Sequence, residues 1–441
     1  MRIFLGLTET AGYFTYLTKG FKKIGVKSFF LNLDYHPFNY DYEKPLFLKP
    51  YYRLIKKKHD VQTGSNYLSQ IILKVISTIL KQLIKIIFLT IAIFKYDIFI
   101  YGFGTTFFHF FELPILKLLK KTIIYVFQGS DSRPPYINGT YLSRFSIGRR
   151  AVNTRAYAHE TLKIKKKVTK IEKYADAVIC NVLSSHLHVK NIISYLQIGF
   201  PRSEISHKIE KKKNNSAIRI LHSPSNPIAK GTFEIRKTIN NLKKQGYAID
   251  YIEIIGRPNH EVLYELQRCD FVIDQLYSDT PMAGLATEAA FAGKPSIVGG
   301  YGWDIVRETT PADSIAPSLT CHPEYIEHAI KKLIDDADYR YKLGFKAKKF
   351  VESRWDAVKV AERYIKIINK DIPREWIYEP KRLHYVQGAC LKEDRAKFII
   401  ASLIKNYGMK ALKLDDKPAL QNLFQTFSQS NEIKQSGKVH A

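Results

Sequence analysis

Apolar residues recur along this chain in two rhythms. Short, nearly continuous apolar runs bounded by Gly, Asp or polar residues read as buried strands, and longer stretches with apolar positions three and four apart read as helices. In the first half the strands fall at "RIFLGL" (2 to 7), "KSFFLNL" (27 to 33), "DIFIYGF" (97 to 103), "TIIYVFQG" (122 to 129) and "DAVICNV" (176 to 182). The second half restarts the series with "IRILHSP" (218 to 224), "DYIEIIG" (250 to 256), "DFVIDQL" (270 to 276) and "PSIVGG" (295 to 300). Helices at 231 to 246 and 260 to 269 separate these strands.

Alternation of strand and helix is the signature of parallel sheets built from βαβ units, so the expected class is α/β with two Rossmann-like domains facing across a cleft. A lysine-rich, weakly apolar stretch at 202 to 216 reads as the linker. The expected division is a first Rossmann-like domain at 1–201, a second at 202–370 and a C-terminal helical extension at 371–441 whose polar end reads as disordered. Helical spacing dominates after 322.

The greasiest stretch is "IILKVISTILKQLIKIIFLTIAIF", 71 to 94. Lysines at 74, 81 and 85 interrupt it, which argues against a membrane-spanning helix. Lys74, Thr78, Lys81 and Lys85 follow i, i+4, i+7, i+11 spacing and form one narrow polar stripe. Two placements are open. Either the helix is a buried crossover with its lysines on the solvent side, or it lies in a membrane interface with its lysines at anionic headgroups.

Composition narrows the partners. Sixty-nine Lys and Arg against 41 Asp and Glu give a net charge of +28, with clusters at 55 to 59, 163 to 170 and 208 to 215. Such a balance favours anionic partners, and without a zinc-finger, KH or RRM signature the expected partner is a nucleotide substrate or an anionic membrane surface, not nucleic acid. Four scattered cysteines offer neither a disulfide framework nor zinc spacing. With no secretory signal at "MRIFLGL", the expected place is the cytoplasm, with a peripheral position on the inner face of the membrane left open.

In open α/β sheets ligands sit beyond the carboxyl ends of strands. The loop "HSPSNPIAKGTFEI" offers Ser225, Asn226 and Lys230 before Gly231, a lysine at a helix start where a phosphate would sit, although a surface lysine beside a turn glycine has the same pattern. "YSDTPMAG" leads into a helix bearing Gly284 and, one turn later, Glu288. The glycine admits a ligand near the backbone, and the acid accepts from hydroxyls.

The pairing of "PSNPIAKGT" with "DQLYSDTPMAGLATEAAFAGKPSIV" resembles the donor domain of retaining GT-B glycosyltransferases, the group 1-like enzymes of bacterial capsule, O-antigen and glycolipid synthesis, over residues 218 to 365. That resemblance implies a GT-B fold, a nucleotide-sugar donor, Lys230 at the donor diphosphate and Glu288 at the ribose. It also implies an acid eight positions before Glu288, where this chain has Thr280 beside Asp279, and an Arg near Asn226. Asp279 or Asp274 is the available substitute.

On the acceptor side, Gly12 stands where the family has a glycine near the donor phosphates, and "YVFQGSDSR" resembles a strand ending in His-Gly-x-Asp, with Gln128 in the His place and Asp131 retained. Asp131 is the candidate to orient or deprotonate an acceptor hydroxyl, against the ordinary reading of a capping Asp. His109, flanked by phenylalanines, is the candidate base, against the reading of a satisfied core histidine. Asp336 and Asp338 imitate a DxD metal motif but fall between helices and read as solvent-facing charge.

These features predict a hexosyltransferase-like enzyme that moves sugar from a nucleotide sugar to a saccharide or lipid-linked acceptor, as in polysaccharide biosynthesis. The resemblance implies retention, and independence of metal and cofactor is expected because a lysine and helix ends replace a carboxylate cluster at the leaving phosphate. A sugar-nucleotide epimerase and a non-catalytic nucleotide-sugar-binding subunit are the alternatives.

Overall fold

Alternate residues of the first strands enter two different cores. Phe4, Phe99, Tyr101, Ile123 and Tyr125 pack on one side of the sheet, and Ile3, Leu5, Ile98, Ile100, Ile124 and Val126 on the other. Strands buried on both faces need apolar residues at nearly every position, which is why the sequence shows runs and not alternation. The computed structural model describes residues 1–34, 48–61, 67–146, 151–194, 198–201 and 217–430. The linker at 202 to 216, the basic cluster within it and the polar end from 431 lie outside the described residues.

The first domain runs β1 (Arg2–Leu7), α1 (Tyr13–Lys23), β2 (Lys27–Asn32), α2 (Lys49–Val61), α3 (Tyr67–Lys95), β3 (Ile98–Gly102), α4 (Leu113–Leu118), β4 (Thr122–Val126), α5 (Leu142–Phe145), α6 (Thr154–Tyr174), β5 (Ala177–Cys180) and β6 (Ile192–Ser194). The second runs β7 (Ile218–His222), α7 (Pro227–Lys230), α8 (Thr232–Lys244), β8 (Ile249–Glu253), α9 (Asn259–Arg268), β9 (Phe271–Ser278), α10 (Gly284–Phe291), β10 (Ser296–Gly300), α11 (Trp303–Thr309), β11 (Leu319–Cys321), α12 (Ile326–Asp335) and α13 (Ala337–Arg354). The chain closes with α14 (Ala357–Ile368), β12 (Ile377–Tyr378), α15 (Glu393–Tyr407) and α16 (Pro418–Gln429).

The sheet orders are β12-β6-β5-β4-β3-β1-β2 and β11-β10-β9-β7-β8, parallel throughout except for β12 against β6. Both orders reverse direction beside their first strand, at β1/β3 and at β7/β9. The two doubly wound domains face each other across a cleft, the GT-B arrangement that the sequence resemblance implies.

The end of the chain returns to the first domain. Gly20 of α1 approaches α14 so closely that a Cβ there would lie 2.0 Å from the carbonyl oxygen of Ala357, and the hydroxyls of Tyr13 and Tyr364 meet at 2.8 Å. β12 extends the first sheet, and Leu403 and Phe424 of the last two helices join the same core as Tyr136 and Tyr157. The region after 371, read from sequence as an extension, packs on the first domain through these elements and also touches the second at Cys390 and Lys392.

In α3 the stripe of Lys74, Thr78, Lys81 and Lys85 is divided between the two sides of the helix. Its protein-facing stripe is Ser77, Ile84, Lys85, Phe88 and Ala92, so half of the lysine stripe turns inward: Lys81 pairs with Asp34, and Lys85 is buried facing the charges of Asp34 and Glu112, while Lys74 and Thr78 stay exposed. The apolar side faces out. By length and composition Ile71–Lys95 also meets the requirements of a spanning helix, with 28% of its most apolar window buried. All four cysteines are free. Asp336 caps α13 by accepting from the amide of Tyr339 at 2.8 Å, and Asp338 is exposed, as their reading as surface charge requires.

Candidate functional site

A cavity of about 310 Å³ opens where the two switch points face each other. The second domain contributes Ser223 and Ser225 after β7, Lys230 at the end of α7, Arg257 and Asn259 after β8, Asp274 of β9, and Gly284 and Glu288 of α10; the first contributes Thr10 and Ala11 after β1. These segments converge because each follows the carboxyl end of a strand next to a chain reversal.

Lys230 is positioned by a short capped turn. Asn226 accepts from the amide of Ala229 at 3.1 Å and starts α7, whose last residue is Lys230. Gly231 follows at φ 73°, and a Cβ there would come within 2.7 Å of the Cβ of Leu276. Only glycine lets the chain turn left-handed this close to β9 and enter α8. The ammonium of Lys230 bonds the side-chain oxygen of Gln275 and lies 3.9 Å from Oδ1 of Asp274. Asn226 and Gly231 therefore shape the loop, and Lys230 faces the cavity.

Asp274 is an acid inside the cavity. It is 2% exposed and its Oδ2 has no hydrogen-bond partner among the described residues. Burial pushes its carboxyl upward, against the pull of Lys230 and the amide of Ala283. Beneath it, His222 donates from Nδ1 to the carbonyl of Ile273 at 2.7 Å and accepts at Nε2 from the Thr232 hydroxyl at 2.9 Å, tying β7, β9 and α8 together.

Glu288 lies one turn into α10, 4% exposed, with Oε1 accepting from Nδ2 of Asn259 at 3.3 Å. Gly284 opens that helix, and a Cβ added there would meet nothing within 4 Å. It lines the cavity without being required by space. The helix stops at Gly293, which adopts φ 72°, as the Gly and Pro spacing anticipates.

Facing these residues, the loop after β1 is held by Glu9. This buried carboxylate accepts from the amides of Thr10 at 2.8 Å and Thr15 at 2.9 Å and from the Thr15 hydroxyl at 2.5 Å, fixing the start of α1. Gly12 takes φ 79° and precedes α1 directly. Its neighbours Thr10 and Ala11 line the cavity, and Gly12 supplies the turn that presents them.

A buried clasp joins the domains beside the cavity. Asp279, at the end of the β9 segment, pairs with the guanidinium of Arg133 and accepts from the Ser184 hydroxyl at 2.7 Å, while Nδ2 of Asn181 donates to the Asp279 carbonyl at 2.6 Å. Burial would raise the Asp279 carboxyl, but Arg133 and Ser184 together hold it below the ordinary carboxylate range. The acid next to Thr280 is thus engaged across the interface, and Asp274 is the one that lines the cavity.

The proposed acceptor-side pair is not brought together. Asp131 is buried outside the cavity lining, its Oδ1 accepting from the amide of Gln128 at 2.8 Å and its Oδ2 without a partner. Burial raises its carboxyl, opposed first by Lys167. His109 is exposed at φ 51°, so it is neither the core histidine nor a group at the cleft. The aromatic neighbours that suggested burial for His109 diverge: Phe110 goes into the core and Phe111 is exposed.

Asn259, Arg257, Thr10 and the clasp residue Arg133 were not singled out by sequence reasoning. The first three sit in loops directly after predicted strands, and that position alone is the signal that finds them. Among the described residues no group of three His, Cys, Asp or Glu side chains comes together.

No protein-family model matches this chain, and no curated protein matches it. Among solved structures, Anabaena Alr3699/HepE in complex with UDP-glucose aligns with 83% of this chain and 99% of its own at 13% identity and a TM-score of 0.46. The S. aureus MnaA-UDP co-structure aligns over 84% and 97% at 12% identity and 0.41, and the spinosyn forosaminyltransferase SpnP over 84% and 99% at 8% and 0.37. These likenesses concern the general course of the chain.

Proposed function

We propose that this protein is a nucleotide-sugar-dependent glycosyltransferase of the retaining GT-B kind, acting without a metal on a saccharide or lipid-linked acceptor in the cytoplasm. The observation that supports it is the convergence of Lys230, Asp274, Asn259 and Glu288 on one interdomain cavity. Lys230 and the amino end of α10 take the charge of a diphosphate, and Glu288 with Asn259 takes the two ribose hydroxyls. Asp274, its carboxyl raised by burial, donates a hydrogen bond to a phosphate or sugar oxygen while it carries its proton. Departure of the nucleoside diphosphate is assisted by Lys230 as charge builds on the leaving oxygen, and closure of the cavity between domains keeps water from the sugar.

A second reading has one observation in its favour. Thr280 stands where an acid is expected, and its neighbour Asp279 is committed to Arg133, which fits a subunit that binds a nucleotide sugar without transferring it. Calorimetry with a panel of nucleoside diphosphate sugars, followed by acceptor-dependent release of nucleotide, tests both. Binding with acceptor-dependent release supports transfer, and binding without turnover supports the second reading. Release or epimer formation without acceptor points to an epimerase, and no binding of any donor overturns the site.

A further inference from the structure

Outward-facing residues of α3 leave the molecule with an uncovered apolar surface on a helix about 43 Å long. Ile72, Val75, Ile79, Leu83, Ile86 and Phe94 are each about half exposed or more, with Phe94 at 80%. Exposed large apolar side chains scattered singly are ordinary, but a continuous row along six turns is not. The cause is the inward turn of Lys81 and Lys85. Asp34 and Glu112 draw Lys81 and Lys85 to the protein side, and the stripe through Ile84, Phe88 and Ala92 anchors that side to the first sheet. Among the described side chains of α3, the polar ones left on the outer face are Lys74, Thr78, Gln82, Thr90 and the terminal Lys95.

The charge around this face selects its partner. No Asp or Glu occurs between Asp60 and Asp97. Lys95 and Lys120 are exposed near its end, and Phe111 at 71% and Leu118 at 82% continue the apolar surface on the α4 side of the same sheet face, with the Lys170 ammonium 3.8 Å from the Phe111 ring centroid. A second copy of this chain would set lysine against lysine across the contact. A bilayer surface offers acyl chains to the isoleucines and anionic headgroups to the lysines, and the net charge of +28 adds attraction at longer range. Because its inner stripe is committed to the sheet, α3 lies along the protein and enters a leaflet sideways.

We propose that the outer face of α3 docks the protein onto a membrane leaflet containing anionic lipid. This rests on α3 and its borders alone, not on the donor-site reading, so the two can fail separately. The test is flotation of the full-length protein with phosphatidylcholine vesicles, with and without phosphatidylglycerol, at low and high salt. Alongside wild type run the triple variant Ile79→Gln, Ile86→Gln, Ile87→Gln and the single variant Phe94→Gln, whose side chain is too exposed to support the core. Gln keeps helix propensity and adds no charge. Wild type is expected to float with the anionic vesicles and to keep a salt-resistant part of its binding. The triple variant should bind about tenfold or more weakly with an unchanged thermal midpoint, and Phe94→Gln should show a smaller loss. Folded wild type that stays unbound at low salt overturns the proposal, as does equal binding by both variants, which would assign it to the general basic surface. A lipid-free dimer that the triple variant dissociates, with no vesicle binding by wild type, overturns it in favour of a second copy.

Discussion

The ammonium of Lys230 stands 3.9 Å from Oδ1 of Asp274, and both line the interdomain cavity. Each group offsets part of the cost of burying the other. A bound diphosphate takes over Lys230 and leaves Asp274 better off protonated. Lys230→Ala should therefore weaken binding of a nucleoside diphosphate by on the order of 1.5 to 3 kcal/mol, the usual loss of a charge-assisted contact. The carboxyl of Asp274 is raised by burial, so its proton is held at low pH and lost as pH rises through its folded-state value. Wild-type affinity should fall over that rise, and Asp274→Asn should flatten the dependence. Parallel pH profiles in the two proteins would remove Asp274 from the site.

Glu288 and Asn259 should be felt at the ribose. Glu288→Gln keeps the shape but removes the charge of the acceptor, which should cost on the order of 1.5 to 3 kcal/mol against a ribonucleotide. The discriminating measurement pairs each donor with its 2′-deoxy analogue. Wild type should prefer the ribose form and the variant should lose most of that preference; an unchanged preference means that Glu288 does not touch the diol.

Arg133 and Asp279 lock the domains together from positions far apart in sequence. Breaking a buried pair leaves an uncompensated charge, so Asp279→Asn should destabilise the fold by about 3 to 5 kcal/mol. The carboxyl of Asp279 is held below its usual range, so its contribution is present above the unfolded value of about 3.9 and is lost as pH falls below it. Urea unfolding of both proteins from neutral to acid pH checks this: the gap should be widest near neutrality and narrow in acid. A constant gap would mean that the charge on Asp279 is not what the clasp uses.

Parts of this arrangement are legible in the chain and parts are not, for physical reasons. The principal strands are readable because parallel strands buried on both faces demand apolar runs, and the loops that line the interdomain cavity are readable because they follow strand ends. β6, β11 and β12, with three, three and two residues, are too short to leave a pattern. Periodicity shows that α3 has a polar stripe but not which way it turns, since Asp34 and Glu112 decide that from other elements. The fate of Asp279 is hidden in the same way, because its partner Arg133 is 146 residues away and in the other domain.

Turnover should withstand EDTA. On the proposed reading Lys230 and the start of α10 meet the leaving diphosphate, and Asp274 is the single carboxylate near Lys230 in the cavity lining, short of the cluster a metal would need. Sugar release measured with EDTA and with added Mg²⁺ should agree. Loss of turnover in EDTA restored by Mg²⁺ or Mn²⁺ would assign the diphosphate to a metal and leave Lys230 in a supporting role.

His222 makes the floor of the loop that carries Lys230 sensitive to mild acid. Its ring is buried, with both nitrogens satisfied by Ile273 and Thr232 in the neutral form, and burial lowers its value to about 4, against the opposing effect of the Ile273 carbonyl. In the unfolded chain a histidine binds its proton near 6.5, so below that pH the unfolded state takes up a proton that the folded state refuses. Stability is therefore full above about 6.5 and declines as pH falls toward about 4, by on the order of 3 kcal/mol from this residue. His186, buried and lowered to about 3, adds to the same decline and extends it to lower pH. The comparison of wild type with His222→Gln isolates the first effect: the variant begins less stable at neutral pH, because a buried bond to Thr232 or Ile273 is imperfectly replaced, yet loses less on acidification. Chemical denaturation at several pH values between neutrality and pH 4 provides the curves, and donor affinity measured in the same buffers shows whether the loop carrying Lys230 loosens with them. Equal slopes in the two proteins would mean that His222 keeps or exchanges its proton freely in the fold, and that the floor of this loop is not the acid-sensitive element.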